Sequence, residues 1–186
     1  MTSILASYVV ILSRNPLNLN MATHSNDIHK AYLLQALECA KRSPPKPTNY
    51  CVGAVLVSLD GSIVLSTGYT LECEGNTHAE QCCFIKTAAK LGVTEELLAE
   101  VLPPSVLYTT MEPCSMRLSG NKSCVQRILD LKASIRTVYV GVKEPETFVG
   151  ENEGRQKLED AGIQVVHVQG LEAEILEIAT SGHVKA

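Results

Sequence analysis

Residues 105–142 read SVLYTTMEPCSMRLSGNKSCVQRILDLKASIRTVYVGV. SVLYTT (105–110) and RTVYVGV (136–142) are apolar, β-rich runs, and CVQRILDLK (124–132) between them has the three- and four-residue apolar spacing of a helix. A strand, a helix and a strand in that order predict a parallel pair joined by a right-handed crossover. TVYVGV is apolar on both faces, as a sheet covered on both sides requires.

Working outward, the pattern continues. GRQKLEDAG (154–162) reads as a helix, IQVVHV (163–168) as a strand and LEAEILEIAT (171–180) as a closing helix. On the other side, Asp27 is a candidate N-cap for the amphipathic IHKAYLLQALECAKR, which SPPKP (43–47) stops. CVGAVLV (51–57), the turn signal LDG (59–61) and SIVLSTGYT (62–70) predict a hairpin. HAEQCCFIKTAAKLG (78–92) predicts a helix ending at Gly92, and TEELLAEVL a short helix closed by Pro103 and Pro104. The predicted architecture is α/β: a three-layer α/β/α sandwich on a five-stranded mixed sheet, with the first two strands a hairpin and the last three parallel.

The bulk numbers agree with one such domain. The chain has 186 residues, 45% of them hydrophobic, so a core is available. A net charge of -4 and a pI near 5.7 speak against a nucleic-acid partner. Seven cysteines, an odd number at irregular spacing, fit a reducing compartment, cytoplasmic with the nucleus as a second setting, with some of them on a metal. No apolar run reaches the roughly 18 residues of a membrane span. SILASYVVIL (3–12) is apolar but has no basic residue before it and no cleavage site after it, and Met21 opens a polar stretch. Residues 1–26 are therefore read as an accessory leader and 27–186 as the domain.

The chemistry lies where elements begin and end. His78 and Glu80 open a predicted helix, Pro113 and Cys114 follow a predicted strand, and Cys124 opens the next helix. Such positions converge at the carboxyl edge of an open α/β sheet, where these folds bind ligands. One His and two Cys make three protein ligands, which leaves the fourth position of a catalytic zinc open; a structural zinc normally has four. Glu80, two residues past His78, is the candidate proton carrier. A His/Cys/Cys set with a nearby Glu that does not bind metal is also the pattern of zinc nucleobase deaminases. Taken singly, HAE and PC are weak signals, and the cysteines could be small core residues. Together, each at the start or end of an element the fold requires, they are strong.

The chain resembles the cytidine-deaminase-like superfamily and, within it, the riboflavin-pathway pyrimidine deaminases. Four stretches carry the resemblance: TNYCVGAVLV, GNTHAEQ, YTTMEPCSMRLSGNKSC and VYVGVKEPETFVGENEGRQKLEDAGIQV. The third is similar to the fungal form of the second zinc segment. Most of the superfamily uses Cys-x-x-Cys there, but here the third residue after Cys114 is Arg117, and Cys124 stands ten residues on. The resemblance implies one zinc ion, a homodimer, and a 2,5-diaminopyrimidinone 5'-phosphate substrate bearing a ribitylamino (or ribosylamino) group. It also implies that Asn49, four residues before Gly53, contacts substrate.

The nine-residue spacer between the cysteines is longer than zinc needs. Arg117 and Lys122 supply positive charge and Asn121 amide groups, so the expectation is that these three grip the substrate phosphate. Two rival functions were weighed. A zinc deaminase of another base is opposed by the spacer. A zinc-bearing subunit without activity is opposed by Glu80. His24, His29, His167 and His183 are expected away from the metal, and Cys39, Cys51, Cys73, Cys82 and Cys83 as free thiols. Glu144 and Glu146 are expected on a loop by the pocket mouth, without a catalytic role.

Overall fold

The computed structural model describes residues 25–144 and 153–184. The first helix, α1, spans Ser25–Ala40, so Asp27 sits in its first turn instead of capping it. An acid in that turn still complements the positive end of the helix. The helix starts two residues inside the stretch expected as a leader; residues 1–24 lie outside the described residues.

The hairpin follows as β1 (Gly53–Ser58) and β2 (Val64–Tyr69). Then come α2 (Ala79–Leu91), a 3-10 turn at Glu95–Leu97 leading into α3 (Leu98–Val101), β3 (Ser105–Met111) and α4 (Cys124–Asp130). The chain closes with β4 (Ile135–Val142), α5 (Gly154–Asp160), β5 (Gln164–His167) and α6 (Glu172–Ala179). The sheet order is β2-β1-β3-β4-β5. β3 pairs parallel with β4 and β4 with β5, while β1 is antiparallel to both β2 and β3.

Alternation along the strands splits the core into two layers. Leu107, Val138 and Val140 face one side, where they cluster with Phe84 of α2, Ile128 of α4 and Leu158 of α5. On the other side, Leu33 and Leu37 of α1 pack with Met111, Val142 and Ile175 of α6. Val55, Val57 and Tyr108 join Tyr32 of α1 on that side. Both faces of the sheet are covered, which explains why β4 is apolar from Val138 to Val142. Among the described residues, no helix is long and apolar enough to cross a membrane.

One contact places the active end of α2. Gly68 of β2 lies under the first turn of α2, so a Cβ there would stand 2.1 Å from the Ala79 carbonyl oxygen and 3.0 Å from Cys82 Cβ. Gly68→Ala must therefore push the helix start off the sheet. Overpacking of this kind costs about 1–3 kcal/mol, to be read from the urea midpoint, and it should lower activity as well because His78 and Glu80 ride on that turn.

Candidate active site

Three chain segments meet at the edge formed by the carboxyl ends of β3 and β4. The first is the loop from β2 to α2. It closes on itself through the Leu71 N–H, which donates to the Thr77 carbonyl at 2.9 Å, with Leu71 itself left-handed at φ 64°. His78 then takes the N-cap position of α2 in an extended conformation, and its side chain makes no capping bond. The imidazole is thus free to face the cysteines. The second segment is the spacer after β3, which begins with Cys114 and ends with Cys124 at the start of α4. Ser123 caps that helix, its hydroxyl accepting from Gln126 N–H at 3.2 Å. The third is the end of β4, which leads to Glu144.

His78 Nδ1 lies 3.5 Å from Cys114 Sγ and 3.4 Å from Cys124 Sγ. The three donor atoms all fall within 4.8 Å of one another, the one such His, Cys, Asp or Glu cluster among the described residues. A tetrahedral zinc with its usual Zn–N and Zn–S lengths separates a nitrogen from a sulfur ligand by about 3.6 Å. The donor set and its spacing therefore fit zinc. The Cys114 sulfur is prepared for a cation, since hydrogen bonds from Cys124 and His78 hold its thiol well below its usual range, while the bond to Cys114 and burial push the Cys124 thiol up.

Glu80 is 3% exposed and lies against this cluster. Thr109 of β3 donates to Oε1 at 3.4 Å, and Cys124 Sγ lies 3.3 Å from Oε2. Burial, partly opposed by His78, raises its carboxyl above the ordinary carboxylate value. A carboxyl raised toward neutrality both accepts and returns a proton readily.

His78, Glu80 and Cys114 line a cavity of about 290 Å³, with the fully buried Cys124 in contact with His78 and Glu80. Asn49, from the segment before β1, also lines it, as its predicted role requires. So does Arg117, whose guanidinium donates to the Asn76 carbonyl at 2.6 Å and to Gln81 Oε1 at 3.2 Å. Arg117 is 8% exposed, and it ties the spacer to the His78 segment. The structure does not bring Asn121 or Lys122 into the lining. Lys122 pairs with Asp130 of α4 at 2.8 Å and is half exposed, and Asn121 is exposed on the outer side of the spacer. The physical reason is local: Gly120, left-handed at φ 76°, turns the chain so that the residues after it run along α4.

The sequence reading passed over two residues that the fold brings here, Thr109 and Glu112, and expected a third, Glu144, only as a loop residue by the pocket mouth. Thr109 holds Glu80 from below. Glu112 lines the cavity but is paired with Arg155 at 2.8 Å. Glu144 lines it as well, and its Oε2 is buried without a hydrogen-bond partner among the described residues. Periodicity marks Thr109 only as one of the inward positions of a strand. The residue pattern puts Glu144 just after a strand by the pocket mouth but does not mark its burial, which depends on where β4 ends relative to β3. Glu146 lies outside the described residues. His24 does as well. Of the other expected bystanders, His29 stacks on Tyr139 at 4.0 Å, His167 bonds to the Gly141 carbonyl, and Cys83 is buried in α2 outside the donor cluster.

Comparison with known proteins adds a family to this geometry. The family model described as the cytidine and deoxycytidylate deaminase zinc-binding region matches residues 26–142. The chain is 40% identical over 168 residues to the diaminohydroxyphosphoribosylamino-pyrimidine deaminase of Schizosaccharomyces pombe, covering 90% of this chain but only 39% of that protein. It superposes on the Rib2 deaminase of Aspergillus oryzae, solved in complex with DARIPP, with a TM-score of 0.76 and 48% identity, covering 84% of this chain and 92% of that one. A diaminohydroxyphosphoribosylaminopyrimidine deaminase/5-amino-6-(5-phosphoribosylamino)uracil reductase from Thermotoga maritima gives 0.66 at 28% identity, covering 86% of this chain and 41% of that one.

Proposed function

Because the chain belongs to the family of the cytidine and deoxycytidylate deaminase zinc-binding region, we propose that it is the hydrolytic pyrimidine deaminase of riboflavin biosynthesis. On this reading it removes the ring 2-amino group of a 2,5-diamino-6-ribitylamino-pyrimidinone 5'-phosphate as ammonia. The observation that carries the reading is the convergence of His78, Cys114, Cys124 and Glu80 on one cavity across a nine-residue spacer. The names of the fungal relatives support the choice of substrate.

His78 Nδ1 and the two thiolates would hold zinc. When bound, zinc makes a water molecule nucleophilic near neutral pH. Glu80 takes one proton of the attacking water and delivers it to the ring nitrogen beside the attacked carbon. It then takes the remaining proton of the hydroxyl added to that carbon and passes it to the amine, which leaves as ammonia while the carbonyl forms. Thr109 keeps its carboxylate aimed during these transfers. Asn49 holds the ring by its amide. The test is ammonia release by the purified protein on the ribitylamino and ribosylamino phosphates, with cytidine and guanine as controls. Ammonia from the controls alone would replace this reading by that of another base deaminase.

The phosphate contact narrows to Arg117. Among the described residues it is the sole Lys or Arg lining the cavity, which otherwise carries Glu80, Glu112 and Glu144. Its two protein bonds leave other guanidinium N–H groups for a phosphate, in the paired geometry arginine offers. Arg117→Ala should lower kcat/KM roughly tenfold or more, as loss of a hydrogen bond to a charged group does. Most of that loss should disappear on the dephosphorylated pyrimidine, and Lys122→Ala should change little. Equal losses on both substrates would make Arg117 a brace between the two metal-binding segments and nothing more.

A further inference from the structure

We propose that Glu144 determines substrate specificity: its carboxylate accepts hydrogen bonds from the 5-amino group of the diaminopyrimidine ring. The inference rests on the pyrimidine reading above and deepens it.

Three observations lead to it. First, the other carboxylates of the cavity are occupied by the protein. Glu80 is held by Thr109 and Cys124, and Glu112 by Arg155. Glu144 alone of the three has a buried oxygen, Oε2, with no partner among the described residues. A buried acceptor left unmatched is costly, and a ligand that brings a donor repairs it. Second, the charges felt by Glu144 are of its own sign. After burial itself, Cys114, Glu80 and Glu112 push its carboxyl up to about 8. Without a ligand that carboxyl is largely protonated near neutral pH, and a ligand that brings N–H donors favours its ionised, accepting form; among the described residues no cation is bonded to Oε2. Third, the ring places a donor where it is wanted. The carbon attacked at the metal is C2, and the position across the ring from it is C5, which bears an amino group in this substrate and none in cytosine. Glu144 extends from the end of β4 and lines the cavity that also holds the metal-binding groups and Glu80. A ring with C2 at the metal turns its C5 edge away from it, toward the rest of the lining.

The test pairs a change in the protein with a change in the substrate. Glu144→Ala and Glu144→Gln are assayed beside the wild type on the diaminopyrimidine and on the same molecule with hydrogen in place of the 5-amino group. Metal content and the melting curve are recorded for each protein. The expected result is a loss of about tenfold or more in kcat/KM for Glu144→Ala on the natural pair of groups, appearing mainly in KM. Glu144→Gln, which keeps one acceptor oxygen, should fall between. On the substrate without the amino group the wild type should itself be poor, and the further loss in the variants should shrink to less than about threefold, since the partner is already missing. Equal losses on both substrates, with zinc and folding intact, would overturn the assignment while leaving the deaminase reading standing. A wild type that releases no ammonia from either pyrimidine would remove both.

Discussion

Glu80→Gln is expected to give a folded protein with its full complement of metal and almost no turnover. The substitution keeps the shape of the side chain and can keep its contacts to Thr109 Oγ1 and Cys124 Sγ, which are 3.4 Å and 3.3 Å long. It removes only the capacity to take up and return a proton. A positioned general acid-base group contributes about 10²- to 10⁴-fold. One group that serves the attacking water, the ring nitrogen and the departing amine in turn should lie at the upper end of that range. Its surroundings suit the task, because burial lifts the carboxyl above its ordinary value. Ammonia release under single-turnover conditions, beside metal analysis of the same preparation, decides the matter. Turnover near that of the wild type would assign the proton transfers to a different group.

Cys124→Ser is expected to strip the metal. Cys124 is fully buried at the start of α4, with its sulfur 3.4 Å from His78 Nδ1, so a serine oxygen there is a shorter and harder donor held too far away. Groups that merely orient a ligand are worth roughly 10- to 100-fold in metal affinity, and the loss of a ligand itself should exceed that. Zinc per chain should fall from about one to well below it, activity should follow, and the melting temperature should drop because metal binding is coupled to folding. Cys83→Ser is the control. That thiol is also buried, but it belongs to α2 and is not one of the three clustered donors, so its variant should keep zinc. Full zinc occupancy in Cys124→Ser would show that the long spacer does not supply the third ligand.

The strand-helix-strand pattern of residues 105–142 was enough to set the parallel half of the sheet, because alternation and helical spacing are local properties that burial enforces residue by residue. The candidate metal-binding cluster was legible for a related reason. His78, Cys114 and Cys124 each sit at an element boundary, and the fold brings such boundaries to one edge. Arg117 was also legible as a charge beside the metal, but not as a buried side chain bonded to Asn76 and Gln81, residues about forty positions away in the chain. Lys122 and Asn121 looked equivalent to it in the sequence. Only the left-handed turn at Gly120 and the pull of Asp130 separate them from the cavity. Glu144 was expected by the pocket mouth, but its burial and its unmatched oxygen were decided by tertiary structure alone. One residue among many acids, it acquires its character from the parallel register of β4 on β3, where Met111 stands beside Val142 and the two strand ends open into the same space. Composition and spacing describe what a segment will do by itself. Which side chains share a cavity depends on contacts between segments far apart in the chain, and those exist only once the sheet has formed.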